Sequence, residues 1–401
     1  MPIRDTTQPG QPFDIILLGL LGRHAGQNRG GVSISMRRLA NGMAQRGVRV
    51  EMMVAESACR PDWLEGIDPR IVVTPLRRLR RADLWLTLVW RLVRNGPSVL
   101  LAFDQRAALL AARTMAVPGV RTRLWISPKN AIAAQMNGWS PARTARRVQQ
   151  LRRVHARTAG VIAVSQGLAH DYATTLGIEL DNIFAVYNPI VDDTLHTQAT
   201  ASVELPWPTE PMVPLILSIG RLAREKDYPT LLRAFALLRN SRQARLLILG
   251  EGEERAALTQ LAADLNIASD CAMPGFVPNP YAYLARANLF ALTSLWEGFG
   301  NVLAEALALG IPAVSTDCPS GPAEILAGGR YGPLVPVGDA NAVAGAMAAV
   351  LDSPPSAAHQ RNGAERFKTS LIVDRYLELM GLSGAGAPDE KPPPHRKTAQ
   401  S

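Results

Sequence analysis

Short β-rich apolar runs separated by helical patterns recur along this chain, and that alternation restricts the fold more than any other feature. FDIILLGL (13–20), VRVEMMVA (48–55), SVLLAF (98–103), TRLWIS (122–127) and GVIAVS (160–165) read as strands buried on both faces, the habit of parallel sheets. Helical periodicity fills the gaps. In VSISMRRLANGMAQRG, Ile34, Leu39 and Met43 share a predicted face, and Gly47 supplies the stop. A Pro- and turn-rich stretch, NPIVDDTLHTQATASVELPWPTEP (188–211), interrupts the pattern, which restarts with VPLILSIG, ARLLILG, NLFALTS and IPAVST. Two such series predict an α/β protein of two doubly wound, Rossmann-like domains facing a central cleft. The expected division is 1–190, a linker at 191–211, and 212–381. From about 382 the chain turns into GAGAPDEKPPPHRKTAQS, a tail expected to be disordered.

The 401 residues suit two cores. No apolar run reaches the roughly 18 residues of a membrane span, and MPIRDTTQPGQPFD lacks the apolar centre of a secretory signal, so a cytoplasmic location is expected. Cys59, Cys271 and Cys318 are too few and too scattered for a disulfide frame or a zinc site. Residues 1–200 hold 26 Lys and Arg against 14 Asp and Glu; the remainder holds 17 against 20. A basic first half points to an anionic partner or surface, the alternative being helices solvated by Arg. A nucleic-acid partner is not expected, because no aromatic-interleaved basic strand or recognisable binding motif occurs.

Two acids, Glu297 and Glu305, stand eight residues apart in SLWEGFGNVLAEALALGIPAVSTDCPSGPAEIL (294–326). On one continuous helix they would be about 12 Å apart, beyond the roughly 5–9.5 Å of a glycosidase pair. Gly298 and Gly300 instead make 297–300 a loop entering a helix that starts near Asn301. That loop would present Glu297 and free backbone N–H groups where an anion is favoured, with Glu305 one turn inside, suited to sugar hydroxyls. Serving the helix dipole is the plainer alternative. Upstream, strand 215–219 runs into Gly220, Arg221 and, five residues later, Lys226. Gly lets backbone approach, Arg offers a planar fork and Lys a mobile charge, which is what a phosphate clamp requires.

In this order, IGRLAREKDYPTLLRAF, LLILGEGEERAAL, the 273–326 stretch and YGPLVPVGD resemble the retaining glycosyltransferases of family 4, which have the GT-B fold. The first half resembles them through GGVSISMRRLANGMAQRGVRVEMM and GVIAVSQGLAHDYATTLGIELDNIFAVYNPI. The resemblance implies that Arg221 and Lys226 bind the diphosphate of a nucleotide-sugar donor and Glu305 its ribose hydroxyls. Glu297, Gly298, Phe299, Gly300 and Asn301 would hold the sugar and distal phosphate, with Arg221, Lys226 and Glu297 as the catalytic set. Phe276 and Val277 would present backbone to the base, beside a phosphate loop begun by Gly220, and Gly30 and Gly31 would approach the donor across the cleft. The partners implied are a nucleotide-sugar donor, UDP before GDP, and a saccharide or lipid-linked acceptor. No cofactor is implied, and the absence of D-x-D fits metal-independent transfer.

One departure stands out. Where many members of the family carry His after the strand corresponding to TRLWIS, this chain has Lys129 or Asn130. Either can hydrogen-bond a sugar or phosphate, and a degenerate, non-catalytic relative is the rival reading. Of the histidines, His24 in the glycine loop is the one best placed to reach the cleft, although a solvated loop His is the favoured reading; His155, His170 and His196 are taken as structural or surface residues. Gly250-Glu251-Gly252 follows a strand, but Arg255 stands where a dinucleotide fingerprint needs glycine. PLRRLRRADLWLTLVWRLVRN (75–95) couples Arg77, Arg78, Arg80 and Arg81 to Trp85, Leu88 and Trp90, and is expected to touch an anionic membrane surface peripherally.

Overall fold

The computed structural model describes residues 13–20, 31–55, 64, 66–76, 81–208 and 213–383. Among these, two all-parallel sheets appear. The first contains β1 (Ile15–Gly19), β2 (Val50–Ala55), β3 (Val72–Leu76), β4 (Val99–Ala102), β5 (Arg123–Ile126), β6 (Gly160–Ala163) and β7 (Ile183–Ala185). Its spatial order is β3-β2-β1-β4-β5-β6-β7. The second contains β8 (Leu215–Ile219), β9 (Arg245–Leu249), β10 (Cys271–Gly275), β11 (Leu289–Leu292), β12 (Ala313–Thr316) and β13 (Leu334–Val335). Its order is β10-β9-β8-β11-β12-β13. Central strands are mostly apolar because helices cover both faces: Leu17 sits between Met52 and Leu101, and Leu217 between Leu247 and Phe290. The two doubly wound units expected from the alternation are therefore present.

Strand order reverses between β1 and β4, and again between β8 and β11. In open parallel sheets the crevice beyond the carboxyl ends at such a reversal is where ligands bind. The Gly220–Lys226 segment leaves β8 and the Glu297 loop follows β11, so both expected site segments lie at the second reversal.

Four short strands, β3, β7, β10 and β13, were not among those expected. β3 and β10 carry Pro75 and Pro274 and lie at sheet edges, where a missing N–H is tolerated. The Gly31–Gln45 helix buries Met36, Leu39, Ala40 and Met43, but Ile34 is only half-buried and Arg38 takes a place inside. The linker is not all turn. Asp192 caps a helix, Asp193–Ala199, by accepting from Leu195 N at 2.8 Å.

The division at 381 also changes. The Thr369–Met380 helix leaves the second unit and completes the first, burying Ile372, Val373, Tyr376, Leu377 and Met380 against Met36, Leu39 and Met43. Close helix contact depends on Gly42, where an added Cβ would fall 2.5 Å from Val373 Cγ2. The two passages between units bond to each other: Ile190 N and Val191 N donate to Phe367 O at 3.0 and 3.1 Å, and Thr369 N donates to Val191 O at 2.9 Å. Of the expectations above, Gly30, His24, Cys59, Arg77, Arg78, Arg80 and the tail from 384 lie outside the described residues. Cys271 and Cys318 are free and buried.

Candidate active site

At the end of β8, backbone packs where side chains would obstruct. Gly250 adopts a φ of 145°, and a Cβ there would lie 1.9 Å from Gly220 O. Arg221 is half-exposed and pairs with Glu225. One 3-10 turn, Arg224–Lys226, then brings Lys226 Nζ to Glu297 Oε1 at 2.5 Å, and Ser294 Oγ donates to the same oxygen at 2.7 Å. The loops are joined along their backbones: Leu295 N donates to Glu225 O at 2.8 Å and Thr293 Oγ1 to Lys226 O at 3.1 Å. Lys226 and Glu297 are thus in contact, with Arg221 on the same segment, and each cation is neutralised by a carboxylate that an incoming anion would have to displace or share.

The helix entered by this loop starts at Asn301, with Gly300 at φ 98° as its N-cap. Asn301 bridges the cleft. Its Nδ2 donates to Gly31 O and Ser35 Oγ, both at 3.2 Å, and its Oδ1 accepts from Asn188 Nδ2 at 2.8 Å. Gly298 abuts the first unit directly: a Cβ there would lie 1.9 Å from Lys129 O, and Ser165 Oγ donates to Gly298 O at 2.9 Å. Glu324, from the Pro322–Ile325 helix, accepts from Gln166 N and Gly167 N at 2.8 and 2.9 Å across the same boundary.

Phe299 can serve the site through its backbone alone. Its side chain is buried in an aromatic cluster with Tyr187 and Phe367, at centroid distances of 5.5 and 5.4 Å, so only its backbone is left to face a ligand. Phe276 is exposed and Val277 partly buried; they follow β10, two strands from β8 on the same edge. Lys129 lies on the loop after β5, its Nζ donating to Asn188 Oδ1 at 3.4 Å and standing 4.9 Å from the Phe103 ring centroid. Among the described residues it has no carboxylate partner, and desolvation pulls its ammonium down to about 7. His155 packs against Tyr172, while His170 and His196 are exposed. Arg255 is tied to Glu251 and donates to Gly250 O and Met273 O, which gives that glycine-rich turn a structural use.

Glu305 is buried where the two units meet. Its Oε1 accepts from Tyr281 Oη at 3.0 Å and from Arg38 Nη1 at 3.4 Å. Burial raises its carboxyl above the ordinary range, and Arg38 draws it back. Arg38, Asn188 and Tyr281 escaped the sequence reading. The one available signal was spacing: Gly31, Ser35 and Arg38 recur at helical intervals along a face that meets Asn301 and Glu305.

The comparisons agree with this architecture. Residues 206–367 match the profile described as Glycosyl transferases group 1, and residues 29–194 match Glycosyltransferase Family 4. An N-acetylgalactosamine-N,N'-diacetylbacillosaminyl-diphospho-undecaprenol 4-alpha-N-acetylgalactosaminyltransferase of Campylobacter jejuni is 32% identical over 48% of this chain and 50% of its own length. The lipopolysaccharide core biosynthesis glycosyltransferase LpsE of Rhizobium meliloti is 33% identical over 42% of this chain and 49% of its own. The chain thus spans about half the length of these curated relatives. Among solved structures, Anabaena Alr3699/HepE in complex with UDP superposes with a TM-score of 0.73 at 19% identity, covering 92% of this chain and 99% of that one. Taken with the two sheets, their reversals and the cleft residues, these matches establish that the chain belongs to the family 4 glycosyltransferases and has their GT-B fold.

Proposed function

We propose that this chain is a retaining glycosyltransferase that moves a hexose or N-acetylhexosamine from a UDP-sugar to a saccharide or lipid-linked saccharide acceptor of a surface polysaccharide or glycoconjugate. The observation that carries this reading is the Lys226–Glu297 contact, set beside Arg221 at the strand-order reversal and at the mouth of the Asn301–Leu309 helix. Relatives support the substrate class: the Campylobacter protein's name includes a diphospho-undecaprenol-linked saccharide, and the Anabaena protein has been solved with UDP and with UDP-glucose.

In this reading the bond between the sugar's anomeric carbon and the donor phosphate breaks while the acceptor oxygen bonds to the same face of that carbon. The acceptor's hydroxyl proton passes to the departing phosphate oxygen, and UDP leaves. No protein nucleophile enters. Arg221, Lys226 and the helix N-terminus stabilise the charge growing on the diphosphate, so they act on the transition state more than on bound donor. That set also replaces a metal, and transfer is expected to persist in chelator. Glu297 orients Lys226 and the sugar, Glu305 takes the ribose, and Lys129 lies where the first unit approaches the donor. Resolving the product's anomeric configuration by NMR, with a panel of nucleotide sugars and with or without EDTA, tests the reading. An inverted product or abolition by chelator would refute it.

Attachment to an anionic membrane surface is part of the same proposal. On the Arg81–Asn95 helix, Leu86, Trp90 and Val93 are 55%, 56% and 50% exposed at i, i+4 and i+7, with the Arg94 guanidinium 5.5 Å from the Trp90 ring centroid. Among the described residues no helix is long and apolar enough to cross a membrane. A lateral apolar stripe with Arg94 beside it suits adsorption to a bilayer. Sedimentation with phosphatidylglycerol vesicles should be strong at low salt and decline as salt rises; equal binding to neutral vesicles would oppose it.

A further inference from the structure

Arg38 is 6% exposed, and its guanidinium reaches three parts of the chain. Nε donates to Asp192 Oδ2 at 2.8 Å, Nη1 to Pro189 O and Glu305 Oε1 at 3.4 Å each, and Nη2 to Tyr281 Oη at 3.4 Å. The Gly31–Gln45 helix of the first unit supplies the cation. Pro189 and Asp192 belong to the passage between units, and Tyr281 and Glu305 to the second unit. A buried cation needs good partners to offset its lost hydration, and it is weak evidence of stabilisation for its own sake. Its placement asks for another explanation.

Glu305 offers one. Both of its hydrogen bonds, from Arg38 and from Tyr281, end on Oε1. Oε2 has no protein partner among the described residues. One oxygen is clamped and the other is left to accept from something else.

We propose that Arg38 is a positioning residue for the donor: by clamping Oε1 it holds Glu305 as an oriented carboxylate, so that Oε2 can accept from the donor's ribose hydroxyls where the two units meet. This rests on the reading that Glu305 binds the ribose. The groups facing Glu305 are Arg38, Tyr281 of the Pro280–Leu284 helix, and Asp192 of the passage. Burial and Asp192 both favour the protonated carboxyl, while Arg38 and the Tyr281 hydrogen bond favour the carboxylate. Removing Arg38 leaves burial and Asp192 opposed only by Tyr281. Glu305 then titrates at higher pH, and a carboxyl protonated at Oε2 presents a donor where the ribose hydroxyl needs an acceptor.

The test uses full-length protein, UDP and 2′,3′-dideoxy-UDP, with affinities measured by calorimetry from pH 6 to 9. Wild type should prefer UDP over the dideoxy nucleotide. For UDP, the ratio of Kd in Arg38→Met to Kd in wild type should be at least tenfold at pH 6 and shrink to a few-fold at pH 9. For the dideoxy nucleotide the ratio should stay near one. Arg38→Lys, which keeps the charge but not the fork, should give an intermediate, weakly pH-dependent ratio and serves if the Met variant does not fold. If wild type fails to discriminate the nucleotides, the ribose reading falls and this proposal with it. If wild type discriminates but the Arg38 variants weaken both nucleotides equally at every pH, Arg38 is structural and the proposal alone is overturned.

Discussion

Adding one methyl group at Gly298 tests whether the contact between the Glu297 loop and the first unit matters for catalysis. An alanine Cβ at this position would fall 1.9 Å from Lys129 O and 2.7 Å from Lys129 C, both backbone atoms that cannot rotate away. Relief requires the 297–300 loop and the 127–130 loop to separate by more than an ångström, which breaks the Ser165–Gly298 bond of 2.9 Å. Overpacking costs about 1–3 kcal/mol and the lost hydrogen bond about 1 kcal/mol. Because widening the cleft relieves part of the clash, a net penalty of about 2–3 kcal/mol on the closed arrangement is reasonable. That corresponds to a loss of roughly 30- to 150-fold in kcat/KM. The melting temperature should move little, since opening the boundary, and not unfolding either sheet, removes the strain. Gly345→Ala is the matched control. It sits in the Ala340–Asp352 helix with nothing within 4 Å of an added Cβ, so activity should be unchanged and stability slightly raised. The assay is donor consumption and product formation at several donor concentrations, alongside thermal melts. A Gly298→Ala enzyme within threefold of wild type would show that closure at this contact is unnecessary, and the reasoning would fail.

Arg221→Ala and Lys226→Ala should each lower turnover by about two to three orders of magnitude, the effect of removing a contact made mainly in the transition state, while binding of uridine alone stays near wild type; near-normal rates in both variants would sink the phosphate clamp. Lys129→Met should raise the melting temperature of ligand-free protein most at pH 6–7 and hardly at all by pH 10. The sign follows from an ammonium titrating near 7 when folded and near 10.5 when unfolded, so its penalty on the folded state is full below 7 and disappears as pH rises through that window. The same variant should lower turnover with little change in free UDP affinity, and unchanged turnover would remove Lys129 from the site. Gly42→Ala should destabilise the protein by about 1–3 kcal/mol through overpacking against Val373, read as a lower melting temperature; an unchanged melt would mean that the last helix is loosely seated.

The elements legible in the sequence were those whose chemistry is local. The long apolar strands, the helix beginning at Asn301 and the segment from Gly220 to Lys226 all fall where their residues indicate. Edge strands β3 and β10 were obscured because Pro75 and Pro274 argue against a central strand and carry no signal for an edge one. Arg38 was read over because a cation in an amphipathic helix ordinarily points to water, and its acceptors come from residues more than 150 positions away. Phe299 lies inside a site-like motif, yet its ring belongs to the junction between units, a fact that depends on Tyr187 and Phe367 arriving from elsewhere. The last helix has an apolar face of ordinary appearance. Nothing in its pattern says which of two sheets it will cover.

That last helix has a consequence during protein synthesis. Met36, Leu39 and Met43 of the first unit pack against Ile372, Val373, Tyr376, Leu377 and Met380, which follow more than 300 residues later. At roughly 5–20 residues per second, the ribosome takes tens of seconds to supply the missing piece. Throughout that interval the nascent first half carries an uncovered oily surface while the second half is still being made, so its folding cannot finish in the order in which it is translated. Stop codons or frameshifts that remove the chain from residue 369 onward would therefore damage the part of the protein made first.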